Sequence, residues 1–327
     1  MTLLGYPILL SILKKSRTWR LLSIILPYSP YPELTLEEFI ITVYCFIEEK
    51  MTIITKNIKV RKAGFPPCLS DVEALTMEVV GEFIGLHQDK QIWEYFKRHF
   101  QEWFPNLKSR PSYVKQCSGL LSIKNMLLAD LFKSASKSDL HMIDGVPIPV
   151  INLARATRGR CFKEYADYGY CASKDSYYYG FLGHVLINEE GRIAGFMITP
   201  ANGSEREALQ VMSPNISGMV LGDKGYLGQD LKDELATKNI DLQTPLKKNM
   251  KDNRSKNFLK WITATRRLIE TVIGQLTERF AINAIRVKSY WHLQSRIARK
   301  LLAHTIATFL TKSLKLVPTQ LEKLVTC

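Results

Sequence analysis

The run from His141 to Ile151 (His-Met-Ile-Asp-Gly-Val-Pro-Ile-Pro-Val-Ile) constrains this chain more than any other stretch. It has the apolar character of a buried strand, yet it holds one acid, Asp144. A second run, Met219-Val220-Leu221-Gly222-Asp223, ends on another acid. A carboxylate inside an apolar strand is costly unless it is paired or holds a metal ion. Taken singly, each acid also suits a turn, since Asp144 precedes Gly145 and Asp223 precedes Lys224-Gly225. The chain therefore needs a sheet, with acids at its strands and something to offset their charge.

A third acid lies on a helix expected from about Phe258 to Phe280. Ile269, Val272, Ile273, Leu276 and Phe280 mark its core-facing stripe. Glu270 sits beside that stripe, with Arg266 and Arg267 one turn earlier on the same side. Alone, Glu270 reads equally as half of a helix salt bridge. Two strand-borne aspartates and a helix-borne glutamate together make an all-oxygen cluster suited to Mg²⁺ or Mn²⁺. Two such ions can activate a nucleophile and stabilise a leaving oxygen in phosphoryl transfer.

The rest of the pattern divides the chain. Pro27, Pro30 and Pro32 set residues 1–33 apart as an N-terminal extension. Thr35-Leu36-Glu37-Glu38 and Ser70-Asp71-Val72-Glu73 are capping boxes, each opening a helix. Further helices are expected over Gln91–Trp103 and Pro111–Ala129, so residues 34–135 read as an all-helical domain. Ser70–Leu86 followed by Asp89–Phe100 suits either a helix-turn-helix reader or plain helical packing. From residue 139 strands take over. Tyr177–Asn188 and Arg192–Thr199 flank the turn Glu189-Glu190-Gly191. A helix over Gln229–Thr237, a short strand over Asp241–Pro245 and a last helix over His292–Lys315 follow, with Trp291 and His292 as its cap. The fold class is α/β: a mixed sheet flanked by helices over 139–316, then a tail over 317–327.

Charge names the partner class. Lys and Arg number 45 against 31 acids, a net +14. Lys247 to Lys315 holds 16 Lys or Arg and only Asp252, Glu270 and Glu278, a balance of +13. Such an excess points to nucleic acid, although a solvated surface reads the same way. Six cysteines form no CxxC pair, which excludes a zinc site of that type and favours reduced thiols in a cytosolic protein. Leu3–Leu13 and Leu21–Leu26 fall short of the ~20 apolar residues of a membrane span. Lys14, Lys15, Arg17 and Arg20 follow the first run rather than precede it, unlike a secretory signal. No membrane partner is expected.

Eight stretches, in order, resemble one family: "LSDVEALTMEVVGEFIG", "IWEYFKRHF", "IDGVPIPV", "YGYCASKDSYYYGFLGHVLI", "TPANGSEREAL", "GDKGY", "DLQTPLKKNMKD" and "RRLIETVIGQLTERF". From about Leu36 to Lys312 the chain resembles a transposase of the bacterial insertion-sequence family numbered 982. Leu182 stands where similar members often carry Lys, and Gly203-Ser204 where they often carry an acid and a hydrophobic residue. The resemblance implies an RNase H-like core and an Asp-Asp-Glu triad falling on Asp144, Asp223 and Glu270, with Mg²⁺ or Mn²⁺ as cofactor. Its expected partners are double-stranded DNA, both inverted terminal repeats and target, and a second copy in a synaptic homodimer. Residues expected to meet DNA are Lys224, Lys247, Lys248, Lys251, Arg266, Arg267 and His184, the last with a structural reading beside it. Tyr177, Tyr178, Tyr179 and Phe181 read as core and sheet surface. In the implied reaction, water cuts the element's end to free a 3′-OH, which then attacks target DNA. Two rivals stay open: a nuclease that cuts and never joins, and a DNA-binding protein descended from a transposase.

Overall fold

The computed structural model describes residues 33–56, 58, 60–61, 64–158, 161–246 and 250–325. The N-terminal extension, apart from Glu33, lies outside them, as do Lys247 and Lys248. The chain divides into two compact units. One holds the described residues up to Leu128 together with those from Ile297 onward; the other runs Ala129–Arg296.

The first unit is helical. Helix α1 (Leu36–Ile54) opens on Thr35, whose Oγ1 accepts from Glu38 N at 3.2 Å while Glu38 Oε2 accepts from Thr35 N at 2.9 Å. Helix α2 (Asp71–Phe83) repeats the device with Ser70 and Glu73. It is buried on nearly every side, and its glutamates are buried with it. Glu78 meets Lys124 Nζ at 2.8 Å. Glu82 accepts from Arg299 Nε at 2.7 Å and from Lys300 Nζ at 2.9 Å. Buried charges persist only when paired this closely. Helix α3 (Asp89–His99) follows. The segment expected as one helix over 111–129 is two, α4 (Arg110–Gly119) and α5 (Leu121–Ala135), divided at Leu120.

The second unit holds one sheet. Strand β1 (Leu140–Ile151) pairs antiparallel with β3 (Ser176–Asn188) and parallel with β5 (Gly218–Leu221), and β5 pairs parallel with β6 (Ile240–Gln243). Strands β2 (Asp167–Cys171) and β4 (Ile193–Pro200) both pair antiparallel with β3. The sheet is therefore mixed: antiparallel on one side of β1 and parallel on the other. Pro147 and Pro149 fall beyond Met142, where β1 pairs with β3 alone, so a missing N–H can face an unpaired edge. The β3–β4 turn forms as expected. Asn188 Oδ1 accepts from Glu190 N and Arg192 N, and Gly191 takes φ 78°.

Helices α6 (Glu205–Met212) and α7 (Gln229–Thr237) bury Leu209, Leu231 and Leu235 against Ile143, Leu186, Val220 and Leu242 of the sheet. Helix α8 (Lys256–Gly274) packs on β1 and ends in a π turn over Gln275–Arg279, so the long helix expected to Phe280 changes pitch in its last turn. The final helix α9 (Tyr290–Ser313) opens on Ser289, whose Oγ accepts from His292 N at 3.4 Å and lies 2.7 Å from His292 Nδ1, so Trp291 and His292 stand inside its first turn rather than before it. Strand β2 and helix α6 had no counterpart among the expected elements. Tyr178, Tyr179 and Phe181 are buried as expected, whereas Tyr177 is 67% exposed and rests on Tyr170. Among the described residues no helix is long and apolar enough to cross a membrane, and no cysteine is in a disulfide.

Candidate active site

Asp144 and Asp223 occupy matching positions on neighbouring strands. The last parallel pair of β1 and β5 is Met142↔Leu221, and each acid lies two residues beyond it. Equal register in parallel strands brings such residues side by side, just past the C-terminal end of β5 and seven residues short of the end of β1. The local geometry also matches. Asp144 Oδ1 accepts from Gly145 N at 2.7 Å, and Asp223 Oδ1 accepts from Lys224 N at 2.6 Å. Asp223 stands just past the strand rather than within it, capping the short turn Lys224–Tyr226.

Helix α8 brings the third acid. Its buried Ile262, Ile269 and Val272 fix the face turned to β1, which leaves Glu270 at the edge of that face and exposed. Burial raises the Asp144 carboxyl above its ordinary range. The Gly145 N–H and the Arg266 charge oppose that rise, while Asp223 and Glu270 add to it. Asp223 and Glu270 thus both act on Asp144 through space. Arg266 Nη1 lies 3.7 Å from Asp223 Oδ1. The salt bridge expected between Glu270 and Arg266 or Arg267 is absent among the described residues, because Arg266 turns to Asp223 instead.

A fourth acid, not anticipated from the sequence as a site residue, stands with them. Glu205 opens α6, and burial together with the charges of Asp144 and Asp223 raises its carboxyl. Tyr226 is fully buried, and among the described residues its hydroxyl has no hydrogen-bond partner. By local pattern Glu205 is only a first-turn helix acid after the cap Ser204.

Other expected site residues scatter. Lys224, Lys251 and Arg267 are exposed. His184 is fully inside the fold, with Nε2 2.9 Å from Thr199 Oγ1, and burial lowers its pKa to about 4. It therefore presents no ring to a duplex, which corrects its place among the DNA-meeting residues. The basic stretch after residue 247 is not one surface either. Arg299 and Lys300 are buried on Glu82, and Arg254 is held by Asp252, Gln243 and Thr244.

The donor set suits a hard divalent cation, since it offers carboxylate oxygens without thiol or imidazole. Arg266 already supplies one positive charge at Asp223. Among the described residues no group of three or more His, Cys, Asp or Glu side chains is arranged to hold a metal ion as it stands.

Residues 134–290 match the family model described as "Transposase DDE domain". Asp144, Glu205, Asp223 and Glu270 all lie within the matched segment. No curated protein matches the chain. Among solved structures, the chain is similar to a piggyBac transposase in a synaptic complex with hairpin DNA. The TM-score there is 0.50 at 10% identity, over 87% of this chain and 76% of that one. At that identity the likeness speaks for the fold alone. A Mos1 transposase from a pre-cleavage transpososome overlaps 86% of this chain and 98% of its own at 12% identity, with a TM-score of 0.20.

Proposed function

We propose that this chain is a transposase that cuts DNA at the ends of an element and joins them to target DNA. The observation that carries the reading is that Asp144 and Asp223 each lie two residues beyond the last β1–β5 pair, with Arg266 of α8 3.7 Å from Asp223. It falls inside a segment matching a transposase DDE domain. The strand order β4-β3-β1-β5-β6, antiparallel then parallel, supports an RNase H-like core. The eight sequence words support the insertion-sequence family numbered 982.

In this reading Asp144, Asp223 and Glu270 would hold Mg²⁺ or Mn²⁺, as a pair of ions. Bound there, the ions supply Lewis-acid activation of the attacking oxygen and neutralise charge at the leaving oxygen. In the same reading Arg266, 3.7 Å from Asp223, meets a phosphate of the DNA. Lys224, Lys251 and Arg267, with Lys247 and Lys248, contact the DNA backbone, which gives affinity but little sequence information. Helix α3 exposes Arg98 and His99, which supports a DNA-binding role for the helical residues 34–135. The partners are double-stranded terminal repeats and target DNA, held by two copies of the chain in a synaptic homodimer.

The test is a strand-transfer assay with a pre-cut element end, a plasmid target and Mn²⁺. Joined products are expected. Cleavage of an uncut end without joining would instead identify a nuclease, and binding without either would identify a DNA-binding descendant.

A further inference from the structure

We propose that Glu205 is a fourth carboxylate ligand of the metal site, binding the cation beside Asp144 and Asp223. The inference rests on the reading above that this site takes Mg²⁺ or Mn²⁺. An acid in the first turn of a helix ordinarily faces solvent and complements the dipole. Glu205 turns inward. A Cβ built on Gly225 would fall 1.6 Å from Glu205 Oε2, and one built on Gly145 would fall 3.6 Å from Oε1. Its two oxygens therefore lie against the residue following Asp144 and the second residue following Asp223. The carboxylate is wedged between the two segments that carry the aspartates. Gly225 is what leaves room for it.

That placement is unfavourable by itself. The two glycines it lies against follow Asp144 and Asp223 by one and two residues, and both of those acids carry its own sign of charge. Among the described residues its side chain makes no hydrogen bond and no ion pair. A like-charged, partly desolvated carboxylate needs a cation or a proton.

Tyr226 gives an independent sign of what belongs there. Its ring is fully buried and, among the described residues, its hydroxyl makes no hydrogen bond, while the acids Glu205, Asp144 and Asp223 and the cation Arg266 are near enough to act on it. A buried phenol without a partner is costly. Carboxylates that ligate metals are commonly steadied by a hydrogen bond from an outer group. Tyr226 is the outer donor, orienting the Glu205 carboxylate or a water at the ion. A fourth carboxylate also suits a site for two ions, which three acids share thinly.

The test titrates the metal-free full chain with MnCl₂ by calorimetry, beside thermal melting without metal. Glu205→Gln keeps size and loses charge. Mn²⁺ affinity is expected to fall by about 10-fold or more, while metal-free melting holds or rises as a like charge leaves. Gly225→Ala keeps every acid but puts a methyl where Oε2 stands, and the same loss is expected; it decides the matter if Glu205→Gln fails to fold. Asp144→Asn serves as reference. Weakened Mn²⁺ binding in Asp144→Asn with unchanged binding in Glu205→Gln and Gly225→Ala would overturn the role of Glu205 alone. Unchanged binding in Asp144→Asn would overturn the reading of the whole site.

Discussion

Arg266 Nη1 stands 3.7 Å from Asp223 Oδ1, and the same guanidinium opposes the rise of the Asp144 carboxyl. One side chain thus supplies the positive charge for acids that come from two strands. Glu270, four residues further along α8, acts on Asp144 with the opposite sign.

The first prediction follows from that pairing. Arg266→Gln should bind Mn²⁺ more tightly than the unaltered chain, because a competing positive charge leaves the site. Metal-free stability should fall by no more than about 1 kcal/mol, since Asp223 is half exposed and its pairing is screened. Cleavage should also fall, through loss of a phosphate contact. Melting scans with and without MnCl₂ read the first two effects. A smaller Mn²⁺-induced rise in Tm than in the unaltered chain would refute competition between Arg266 and the ion.

The second prediction concerns the DNA backbone. Charge reversal at Lys247, Lys248 and Lys251 should weaken binding to any duplex and reduce its salt slope by about one unit per lost contact. Lys251 is exposed, as such a contact requires. Titrations at several salt concentrations check it. Unchanged slopes would leave this run a solvated surface.

What could be read from the sequence was whatever local pattern decides. The apolar runs around Asp144 and before Asp223 announced strands, and the stripe through Ile269 and Val272 placed Glu270 at the edge of a packed face. Strand β2 stayed hidden because Asp167–Cys171 mixes exposed tyrosines with a glycine and carries no apolar run. Glu205 stayed hidden because what distinguishes it is the approach of Gly145 and Gly225 from distant segments. The charge of the C-terminal stretch misled for the same reason. Arg299 meets Glu82 across 217 residues of sequence, so nothing near it signals burial. His184 likewise reads as a strand histidine until the sheet encloses it.

The third prediction is a pH dependence. Burial holds His184 near pKa 4 and His304 near 3, against 6.5 for a free imidazole. The unfolded chain therefore takes up protons that the folded chain refuses. Stability from these neutral rings is fully present above pH 6.5 and is lost as pH falls toward 4 and 3, by up to about 1.4 kcal/mol per pH unit for each ring. Glu82 adds at lower pH. Burial raises its carboxyl, but Arg299, His87 and Lys300 outweigh that and hold it at about 2, so its contribution fades below 4.5. Urea midpoints between pH 7.5 and 4.5 should fall, and His184→Leu should lessen the slope. A pH-independent midpoint over that range would contradict the buried neutral rings.

The last prediction separates chemistry from folding. Glu270→Gln keeps the size and helix preference of the side chain, so packing at Ile269 and Val272 should survive. Glu270 is exposed and makes no ion pair among the described residues, so no partner is stranded by the change. What disappears is one negative charge that acts on Asp144 and would help hold a divalent ion. Loss of an outer-shell partner commonly costs a metal site 10–100-fold, and loss of a ligand should cost more. Metal-dependent cleavage of an end-bearing duplex is expected to drop by more than about 100-fold, with Tm and duplex affinity nearly unchanged. If Glu270 were only a helix surface acid, Gln would cut at a near-normal rate. Full activity in Glu270→Gln would remove this residue from the triad, whereas a lowered Tm together with lost cleavage would place its role in folding.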